Sequence, residues 1–421
     1  MLISAPASGQ GKTTVTAALA YYHRSQGRKV RVFKTGPDFI DPQILAYASG
    51  QPVYQLDLWM MGEAHCRNLL YRSAGDADLI LIEGVMGLYD GDSSSADLAQ
   101  ALDVPVAVVI DAQGMAQTFA AVAFGLAHYR PGLVCAGVIA NKVGSSGHAK
   151  WLQEALPDSL PLLAAMANDP TVGLPSRHLG LLQADEIGDL DQRLQRATEL
   201  LTDFAPCHLP APVAFHPAKA DQAPQLLAGK RIAIGRDAGF SFIYQANLDC
   251  LQAMGAELKF FSPLADTELP EADSLYLPGG YPELHLQTLA NNHAMKQALR
   301  EHHQADKPIY AECGGFLYLL ESLADKEGHS AEMVGLLSGH ARMQARLANL
   351  GMQSIELEHG EIRGHSFHHS QLESDMKPFA YSNPQRQRSK AEGFYRNGSL
   401  QASYLHLYFP FNPQQAAGFF L

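Results

Sequence analysis

The chain has 421 residues, of which 47% are apolar and 18% are charged, so we expect two domains, each with a buried core. The 43 acidic residues outnumber the 31 basic ones and give a net charge of −12, which argues against nucleic-acid binding because a phosphate backbone requires a basic surface. Five scattered cysteines without a CxxC pair indicate reduced thiols. With no charged leader and no apolar run long enough to span a bilayer, the sequence predicts a cytoplasmic protein that binds no membrane.

The first half of the chain alternates short apolar runs with segments of helical periodicity. Strand runs separated by helices predict βαβ crossovers, and therefore a parallel sheet that is covered on both faces. The predicted strands are residues 2–5, 30–35, 79–83, 105–110 and 136–141, and predicted helices between them include 13–25 and 115–128.

A glycine-rich loop, APASGQGKTT at residues 5–14, follows the first predicted strand. Small residues allow successive backbone N–H groups to point at phosphate oxygens, and the following helix adds its positive N-terminal end. Lys12 is predicted to reach the β- and γ-phosphates, and the Thr13 hydroxyl to bind Mg²⁺. Proline at position 6 replaces the glycine of the strict pattern, so an ordinary turn before a helix is the alternative. The predicted nucleotide-binding residues of this loop are Gly9, Gly11, Lys12, Thr13 and Thr14.

Two further motifs begin at the ends of predicted strands, KTGPDFIDP at 34–42 and EGVMGLYDG at 83–91. Open α/β sheets bind ligands at these strand ends. Carboxylates there suit Mg²⁺, which prefers oxygen ligands, although each one alone is more often a helix cap or a solvated loop charge. Lys34 is expected to bind a substrate carboxylate or the γ-phosphate, and Asn141 to recognise the adenine ring or simply to form a turn. The predicted metal ligands are Thr13, Asp38 and Glu83.

A change of composition separates the two halves. Around residues 203–228 the chain is rich in proline and alanine and has little periodicity, which is typical of an interdomain linker. We therefore expect a first domain at 1–205, a linker at 206–228 and a second domain at 229–421. The second half has another α/β pattern, with a helix at 243–254 and predicted strands at 231–235, 257–261, 274–277, 308–311 and 403–409.

A candidate nucleophile lies in the second half, in the segment YAECGG at 310–315. Cys313 follows a short apolar strand and precedes a helical run, which predicts the sharp corner that exposes a nucleophile. The helix N-terminus is expected to lower the pKa of the thiol. Backbone N–H groups of Gly280 and Gly314 are candidates for an oxyanion hole, and His406 near the C-terminus is the predicted base.

The remaining cysteines and a histidine-rich segment have simpler interpretations. Cys66, Cys135, Cys207 and Cys250 are expected to be small buried apolar residues. The run His365-Ser366-Phe367-His368-His369, with His359 nearby, fits no zinc template, so a substrate-facing or structural loop is favoured over a metal site.

Taken together, the motifs resemble one family, the cobyrinic acid and hydrogenobyrinic acid a,c-diamide synthases. The likeness covers nearly the whole chain. It implies an α/β protein, with an N-terminal phosphate-loop domain similar to dethiobiotin synthetase and a C-terminal domain similar to class I glutamine amidotransferases. The motifs are SAPASGQGKTT, KTGPDFIDP, LDLWMM, EGVMGLYDG, RDAGFSFIYQANLDCL, FSPLAD, LPGGYPELH, YAECGGFLYL and RGHSFHHS.

The resemblance implies that ATP, with Mg²⁺, activates the a and c acetate side chains of a corrinoid as acyl phosphates. Ammonia released from glutamine then forms the two amides. The roles implied are Lys12 and Thr13 for ATP and Mg²⁺, Asp38, Glu83 and Asp90 for synthetase catalysis, and Cys313 with His406 for glutamine hydrolysis.

The chain departs from the resemblance at two places. Tyr408 occupies the position, two residues after the histidine, where the wider amidotransferase class has a carboxylate, so a Cys–His dyad is expected. In RGHSFHHS, Ser366 and His369 stand where Glu and Tyr are expected, which leaves the role of that segment open.

Other functions remain open from sequence. Cobyric acid synthase and nickel-sirohydrochlorin a,c-diamide synthase have the same two halves. KTGPDFIDP and RGHSFHHS favour a diamide synthase but do not separate nickel from cobalt substrates. A nucleotide switch of the chromosome-partitioning type would share the phosphate loop but would have no use for Cys313. A homodimer also remains open.

Overall fold

The computed structural model describes residues 1–177, 180–202, 208–218 and 224–421. The chain divides into two compact units, Met1–Ala220 and Asp221–Leu421. The predicted linker at 206–228 lies partly outside the described residues. Within the described ranges, no helix combines the length and apolar character needed to cross a bilayer.

A parallel sheet of seven strands, in the order β3-β2-β4-β1-β5-β6-β7, forms the centre of the first unit as far as it is described. Its strands are β1 Leu2–Ser4, β2 Val30–Thr35, β3 Tyr54–Leu56, β4 Leu79–Glu83, β5 Val106–Asp111, β6 Cys135–Val143 and β7 Leu162–Ala167. A small pair, β8 Ser176–Arg177 and β9 Gly180–Leu181, follows.

Helices connect these strands, and the central strand shows that both sheet faces are covered. Every residue from Val106 to Ile110 is fully buried, and successive side chains of a strand point to opposite faces. The helices are α1 Lys12–Ser25, α2 Asp41–Ser49, α3 Glu63–Ala74, α4 Ser95–Ala101, α5 Thr118–His128, α6 Ser146–Ala155 and α7 Leu190–Thr202, with 3₁₀ turns at Pro170–Val172 and Ala184–Glu186.

All five strands predicted for this half are present, and their ends differ from the prediction by at most two residues. The prediction missed β3, which has only three residues, and β7, whose sequence LLAAMA lacks the β-branched residues that favour strands. The covered parallel sheet predicted for the first half is confirmed.

The second unit contains a mixed central sheet of seven strands in its described part, ordered β11-β10-β12-β13-β23-β22-β20. The first five run parallel, β22 pairs antiparallel with β23, and β20 pairs antiparallel with β22. The strands are β10 Arg231–Gly235, β11 Glu257–Phe261, β12 Ser274–Leu277, β13 Ile309–Glu312, β20 Ala380–Tyr381, β22 Gly393–Asn397 and β23 Leu400–Ser403.

Two smaller sheets and short helices complete this unit. One sheet is a long antiparallel hairpin, β17–β18, extended by β21 and β24, and the other has the order β15-β14-β16-β19. Their strands are β14 Ser322–Ala324, β15 Ser330–Glu332, β16 His340–Met343, β17 Asn349–Leu357, β18 Gly360–His368, β19 Ser370–Glu373, β21 Asn383–Pro384 and β24 His406–Leu407. The helices are α8 Gln245–Ala253, α9 Leu286–Asn291, α10 His293–Gln304, α11 Gly314–Leu319 and α12 Pro413–Ala417, with 3₁₀ turns at Pro282–His285 and Phe409–Phe411.

One predicted strand of this half is wrong. Residues 403–409 do not form a single strand, because β23 ends at Ser403 and the chain then leaves the central sheet. Residues 406–407 pair instead with β18, which places His406 opposite His365. Both His406 and Leu407 are buried by this change of sheet, so the apolar run that suggested one strand reflects burial against two sheets.

Candidate active sites

The glycine-rich loop joins β1 to α1 and leaves the backbone in the left-handed region at two glycines. Gly9 has φ +78° and Gly11 has φ +92°, conformations that side chains with a Cβ adopt with strain. A Cβ at Gly11 would lie 2.1 Å from Asn141 Nδ2, whereas the space around Gly9 is open. Asn141, at the end of β6, donates from Nδ2 to the Gln10 carbonyl at 2.9 Å. Asn141 therefore packs against the glycine-rich loop and holds it in place through this hydrogen bond.

Lys12 begins α1, and its ammonium group folds back over the loop. Its Nζ donates to the carbonyl oxygens of Ala7 at 3.1 Å and Met86 at 2.6 Å. Burial lowers the pKa of Lys12, and the nearby charge of Lys34 lowers it further. The ammonium thus lies between the glycine-rich loop and the loop that follows β4. Thr14 is half-buried in the first turn of the same helix.

A cluster of opposite charges lies beside Thr13, at the carboxyl ends of β2 and β4. Lys34 Nζ contacts Glu83 Oε1 at 2.7 Å, Asp41 Oδ2 at 2.5 Å and Asp38 Oδ2 at 3.5 Å. The Thr13 hydroxyl donates to Glu83 Oε1 at 2.8 Å and lies 3.4 Å from Asp41 Oδ2. Asp41 therefore contacts Thr13. The sequence prediction did not include Asp41 among the site residues, although it lies within the motif KTGPDFIDP.

The pKa values in this cluster reflect burial and mutual charge. Burial alone would lower the pKa of Lys34, but the carboxylates of Glu83 and Asp41 outweigh it and raise that pKa well above its usual range. Burial raises the pKa of Glu83, and burial with the charge of Asp41 raises the pKa of Asp38 to about 7. Asp38 also accepts the backbone N–H of Ile40 at 2.9 Å, so it caps the turn before α2 as well as facing the cluster.

Asp90 lies in the loop after β4 and stabilises that loop. Its Oδ2 accepts the backbone N–H of Gly87 at 2.9 Å. Gly87 has no room for a Cβ, which would lie 2.6 Å from the Pro6 carbonyl oxygen. The backbone N–H of Leu88 donates to the Ala5 carbonyl at 2.8 Å, so the two loops are bonded together. Asp90 therefore supports the site through its own loop.

The donor set around Thr13 fits Mg²⁺. Hydroxyl and carboxylate oxygens from Thr13, Glu83 and Asp41 converge, and Mg²⁺ is bound through such hard oxygens together with water and phosphate oxygens. Glu83 Oε2 is buried without a hydrogen-bond partner, so one carboxylate oxygen remains for a cation. Across the described residues, no group of three or more histidine, cysteine or acidic side chains is arranged to bind a metal, so a magnesium site at Thr13 would also need phosphate and water oxygens.

In the second unit, Cys313 occupies the predicted strand–turn–helix corner between β13 and α11. Its φ of +42° is strained for a residue with a side chain, as occurs where function requires an unusual backbone. The Cys313 N–H donates to the Ser403 carbonyl at 2.8 Å, which ties the corner to β23. Gly315 has no room for a Cβ, which would lie 2.1 Å from the Leu277 carbonyl oxygen. The corner is thus tightly packed on β12.

The predicted depression of the thiol pKa is wrong for this state of the protein. Burial raises the pKa of Cys313, and the charges of Glu283 and Glu392 raise it further. Helix α11 has only six residues, and its N-terminal dipole does not outweigh the loss of water around a buried thiol. At rest the Cys313 side chain is therefore a protonated thiol, which would need a base to react as a nucleophile.

The loop Gly279–Gly280 lies between the thiol corner and His406. A Cβ at Gly279 would lie 2.3 Å from His406 Cε1, and a Cβ at Gly314 would lie 2.8 Å from the Gly280 backbone nitrogen. The two predicted oxyanion donors, Gly280 and Gly314, are therefore neighbours. Gly279, the residue before Gly280, approaches His406, so Gly280, Gly314 and His406 lie around one loop, and Cys313 directly precedes Gly314 in the chain.

His406 is buried and stacks on a second histidine. The rings of His365 and His406 are 4.9 Å apart and inclined by 20°. Burial lowers the pKa of His406 well below its usual value, and His365 and His368 lower it further. Burial likewise lowers the pKa of His365 to about 3, and its Nδ1 contacts the Tyr244 hydroxyl at 2.9 Å. His406 is thus neutral near pH 7 and able to accept a proton.

Glu312, which the sequence prediction did not select, lies close to His406. Its Oε2 is 3.9 Å from His406 Nδ1, and its side chain is 2% exposed. Glu312 directly precedes Cys313, and neighbouring strand residues ordinarily point to opposite faces, so no sequence pattern pairs Glu312 with His406. Only the path of the chain after β23 makes this contact.

Comparison with known proteins identifies both units. Residues 1–181 match the family described as the CobQ/CobB/MinD/ParA nucleotide binding domain, and residues 231–413 match the CobB/CobQ-like glutamine amidotransferase domain. The hydrogenobyrinate a,c-diamide synthase of Stutzerimonas stutzeri strain A1501 is 58% identical over 418 residues, covering 99% of this chain and 97% of the relative. The chain belongs to the a,c-diamide synthase family.

Two other members of the a,c-diamide synthase family match along their whole length. The hydrogenobyrinate a,c-diamide synthase of Pseudomonas aeruginosa is 56% identical over 99% of this chain and 96% of the relative. The cobyrinate a,c-diamide synthase of Herminiimonas arsenicoxydans is 51% identical over 100% of this chain and 96% of the relative. The nucleotide-binding and amidotransferase domains together make this chain a glutamine-dependent ligase, as the sequence resemblance implied.

The histidine-rich segment of this family member is a strand rather than the expected loop. Residues 360–368 form β18, and Ser366 and His365 are buried. Ser366 Oγ donates to Glu392 Oε1 at 2.6 Å, and His368 Nε2 contacts the same oxygen at 2.9 Å. The resemblance led us to expect Glu at position 366. In the structure this position is Ser366, and the carboxylate beside it belongs to Glu392, 26 residues later in the chain.

The other cysteines divide by burial. Cys66 and Cys250 are buried and Cys135 is half-buried, while Cys207 lies outside the described residues. The four cysteines within the described ranges form no disulfide. Burial raises the pKa of Cys66 and of Cys250 to about 12, so both thiols stay protonated.

Proposed function

We propose that this a,c-diamide synthase family member uses ATP and glutamine to amidate the a and c acetate side chains of hydrogenobyrinic acid or cobyrinic acid. The observation that supports the proposal best is the pairing of two built sites in one chain. One has a phosphate loop beside a lysine and carboxylate cluster, and the other has a strained cysteine and a buried neutral histidine near one glycine loop. The names of its full-length relatives supply the substrate class.

The first site is proposed to activate a carboxylate. Gly9, Gly11 and Thr14 belong to the loop and helix start that would receive the phosphates of ATP through backbone N–H groups. Lys12 Nζ, which now contacts the carbonyl oxygens of Ala7 and Met86, is proposed to bind the γ-phosphate and to stay bound to it during transfer. Transfer of that phosphate to the acetate oxygen yields ADP and an acyl phosphate, whose phosphate is a good leaving group. Lys34 is proposed to bind the acetate while it reacts.

Mg²⁺ is proposed to bind at Thr13, Glu83 and Asp41, with Asp38 at the margin of the site. Bound there, Mg²⁺ supplies positive charge that neutralises phosphate oxygens during transfer. Lys34, which contacts Glu83, Asp41 and Asp38, would then share these carboxylates with the cation and could bind the substrate acetate. Asn141 supports the loop from below and is proposed to lie near the adenine ring.

The second site is proposed to release ammonia from glutamine. Cys313 Sγ attacks the side-chain amide carbon as its proton passes to His406, and backbone N–H groups of Gly280 and Gly314 stabilise the oxyanion. The C–N bond breaks as His406 returns the proton to the leaving nitrogen. Water then hydrolyses the thioester to glutamate. The ammonia leaves unprotonated and attacks the acyl phosphate.

The tetrapyrrole substrate of this chain can be identified from the products that it forms. The chain is incubated with ATP, Mg²⁺ and glutamine, together with hydrogenobyrinic acid, cobyrinic acid or nickel-sirohydrochlorin in turn, and the products are examined by mass spectrometry. We expect a mass change for two amides with one of the first two substrates. A diamide from nickel-sirohydrochlorin alone would reassign the substrate.

We further propose that the protein works in the cytoplasm, where its precursors and ATP are available, and that it forms a homodimer. The free thiols in the described part of the chain support a reducing compartment. Light scattering after size-exclusion chromatography measures the oligomeric state directly.

A further inference from the structure

A buried carboxylate, Glu312, contacts the chain on both sides of the His406 imidazole. Its Oε2 is 3.9 Å from His406 Nδ1. Its Oε1 accepts the backbone N–H of Leu407, the next residue, at 3.0 Å. The carboxylate therefore holds the backbone next to the proposed base and faces its ring across a distance longer than a hydrogen bond.

This carboxylate is itself held by two hydroxyl groups from the central sheet. Tyr276, on β12, donates to Oε2 at 2.7 Å, and Tyr310, on β13, donates to Oε1 at 2.9 Å. Both tyrosines are fully buried. A carboxylate buried this deeply is stable only with such donors, so three residues are committed to keeping it in place.

The segment after His406 is fixed from another side by Asn247 of α8. Asn247 Nδ2 donates to the Leu407 carbonyl at 2.8 Å, and its Oδ1 accepts the Phe409 N–H at 2.8 Å. Tyr408, between these two bonds, packs its ring against Tyr244 at 5.7 Å. The carboxylate position two residues after the histidine is thus taken by an aromatic residue that contributes to packing.

We propose that Glu312 is the positioning carboxylate of the glutaminase site, in place of the acidic residue that Tyr408 replaces. The inference rests on the proposed glutaminase function of Cys313 and His406. A proton on His406 Nδ1 faces Glu312, which leaves Nε2 to take the proton of Cys313 Sγ. The same carboxylate then stabilises the imidazolium until that proton passes to the departing ammonia.

Five ionisable groups from four elements surround this carboxylate and histidine. They are Tyr276 on β12, Tyr310 on β13, His365 and His368 on β18 and Cys313 before α11. Burial raises the pKa of Glu312 to about 7, while the bond to Leu407 and the two tyrosine hydroxyls lower it. The carboxylate is present above that pKa and lost below it, so glutamine-dependent turnover should fall as the pH drops through about 7.

The principal test compares Glu312→Gln with the natural chain at pH 8. We expect glutamine-dependent kcat to fall roughly 100-fold or more, by analogy with loss of the carboxylate that orients a catalytic histidine. KM for glutamine should change little, and turnover with added ammonia should persist. Glu312→Asp, which keeps the charge, should recover part of the loss. A Glu312→Gln enzyme that uses glutamine at the natural rate would overturn the proposal.

Loss of ammonia-dependent activity in Glu312→Gln would show that this variant does not fold. A second variant, Tyr276→Phe, then tests the proposal. Tyr276→Phe removes one hydroxyl donor, so the pKa of Glu312 should rise and the acid limb of the pH profile should move to higher pH. An unmoved limb in Tyr276→Phe means that Glu312 has no part in the titration and overturns the proposal. Failure of the natural chain to release glutamate from glutamine would overturn the proposed function itself, and this inference with it.

Discussion

The phosphate loop and the thiol corner are both strand–turn–helix turns at the carboxyl end of a parallel strand, yet they are built in opposite ways. Glycines relieve the backbone at the phosphate loop, where Gly9 and Gly11 take the positive φ angles. At the thiol corner the cysteine itself has φ +42°. The first turn is open to solvent at Gly9, and the second is buried at Cys313.

The difference follows from what each turn must bind. A phosphate loop receives a large anion through backbone N–H groups, so it requires small residues and an open face. A thiol nucleophile requires a base and an oxyanion hole from remote segments, so it requires packing around one strained residue. The first turn is consequently recognisable in a short string of residues, while the second acquires its chemistry only from residues far apart in sequence.

The largest expected effect separates the two turns by nitrogen source. Cys313→Ser should reduce glutamine-dependent amidation by about 10³-fold or more and spare amidation with high ammonia. Lys12→Ala should reduce both by roughly 100-fold or more, because the acyl phosphate no longer forms. Steady-state release of ADP and amide measures both. Cys250→Ser is the matched control, and equal behaviour of the two variants with ammonia would break the division of labour.

The next effect tests the brace beneath the phosphate loop. Gly11→Ala combines an unfavourable φ with a contact of 2.1 Å to Asn141, so KM for ATP should rise roughly 10- to 100-fold. Gly9→Ala has a similar φ and open space, so it should have a smaller effect. Nucleotide titration of both variants isolates the contact. Identical affinities would show that Asn141 does not brace the loop.

The pH dependence of alkylation examines the thiol corner. Because burial raises the pKa of Cys313, reaction with iodoacetamide should be slow at pH 7 and accelerate as the pH rises, since the thiolate is the reactive form. Each unit of pH below the pKa should change the rate about tenfold. Mass spectrometry of the Cys313 peptide, with Cys313→Ala as the blank, follows the reaction. Rapid alkylation at pH 6 would contradict the raised pKa of Cys313 and would support the lowered pKa that the sequence predicted.

The smallest effect concerns the two sheets, where the regions are alike. Ile110 on β5 and Ile234 on β10 are both fully buried. Ile110→Val and Ile234→Val should each lower the free energy of unfolding by about 0.5–1.5 kcal/mol, because each removes one buried methylene. Calorimetry of both variants measures the change. A much larger loss of unfolding free energy at one position would show that the residues around it cannot shift to fill the space left by the methylene.

The sequence alone was sufficient for features that depend on local pattern. Alternating apolar runs and helices placed the five predicted strands of the first half, and the order of motifs implied the family. Lys12, Thr13 and Cys313 could be selected because their chemistry is visible in adjacent residues, such as glycines and a preceding strand. Local steric rules and hydrophobic periodicity act over a few residues, so a linear pattern contains them.

Tertiary structure alone decided the contacts between remote segments. The contact of Asp41 with Thr13 and the change of sheet after Ser403 depend on where separate strands meet. The same is true of Glu312 beside His406, and of the thiol pKa, which rises instead of falling because the whole domain removes water from Cys313. Burial and long-range charge are properties of three-dimensional packing, and no short stretch of sequence contains them.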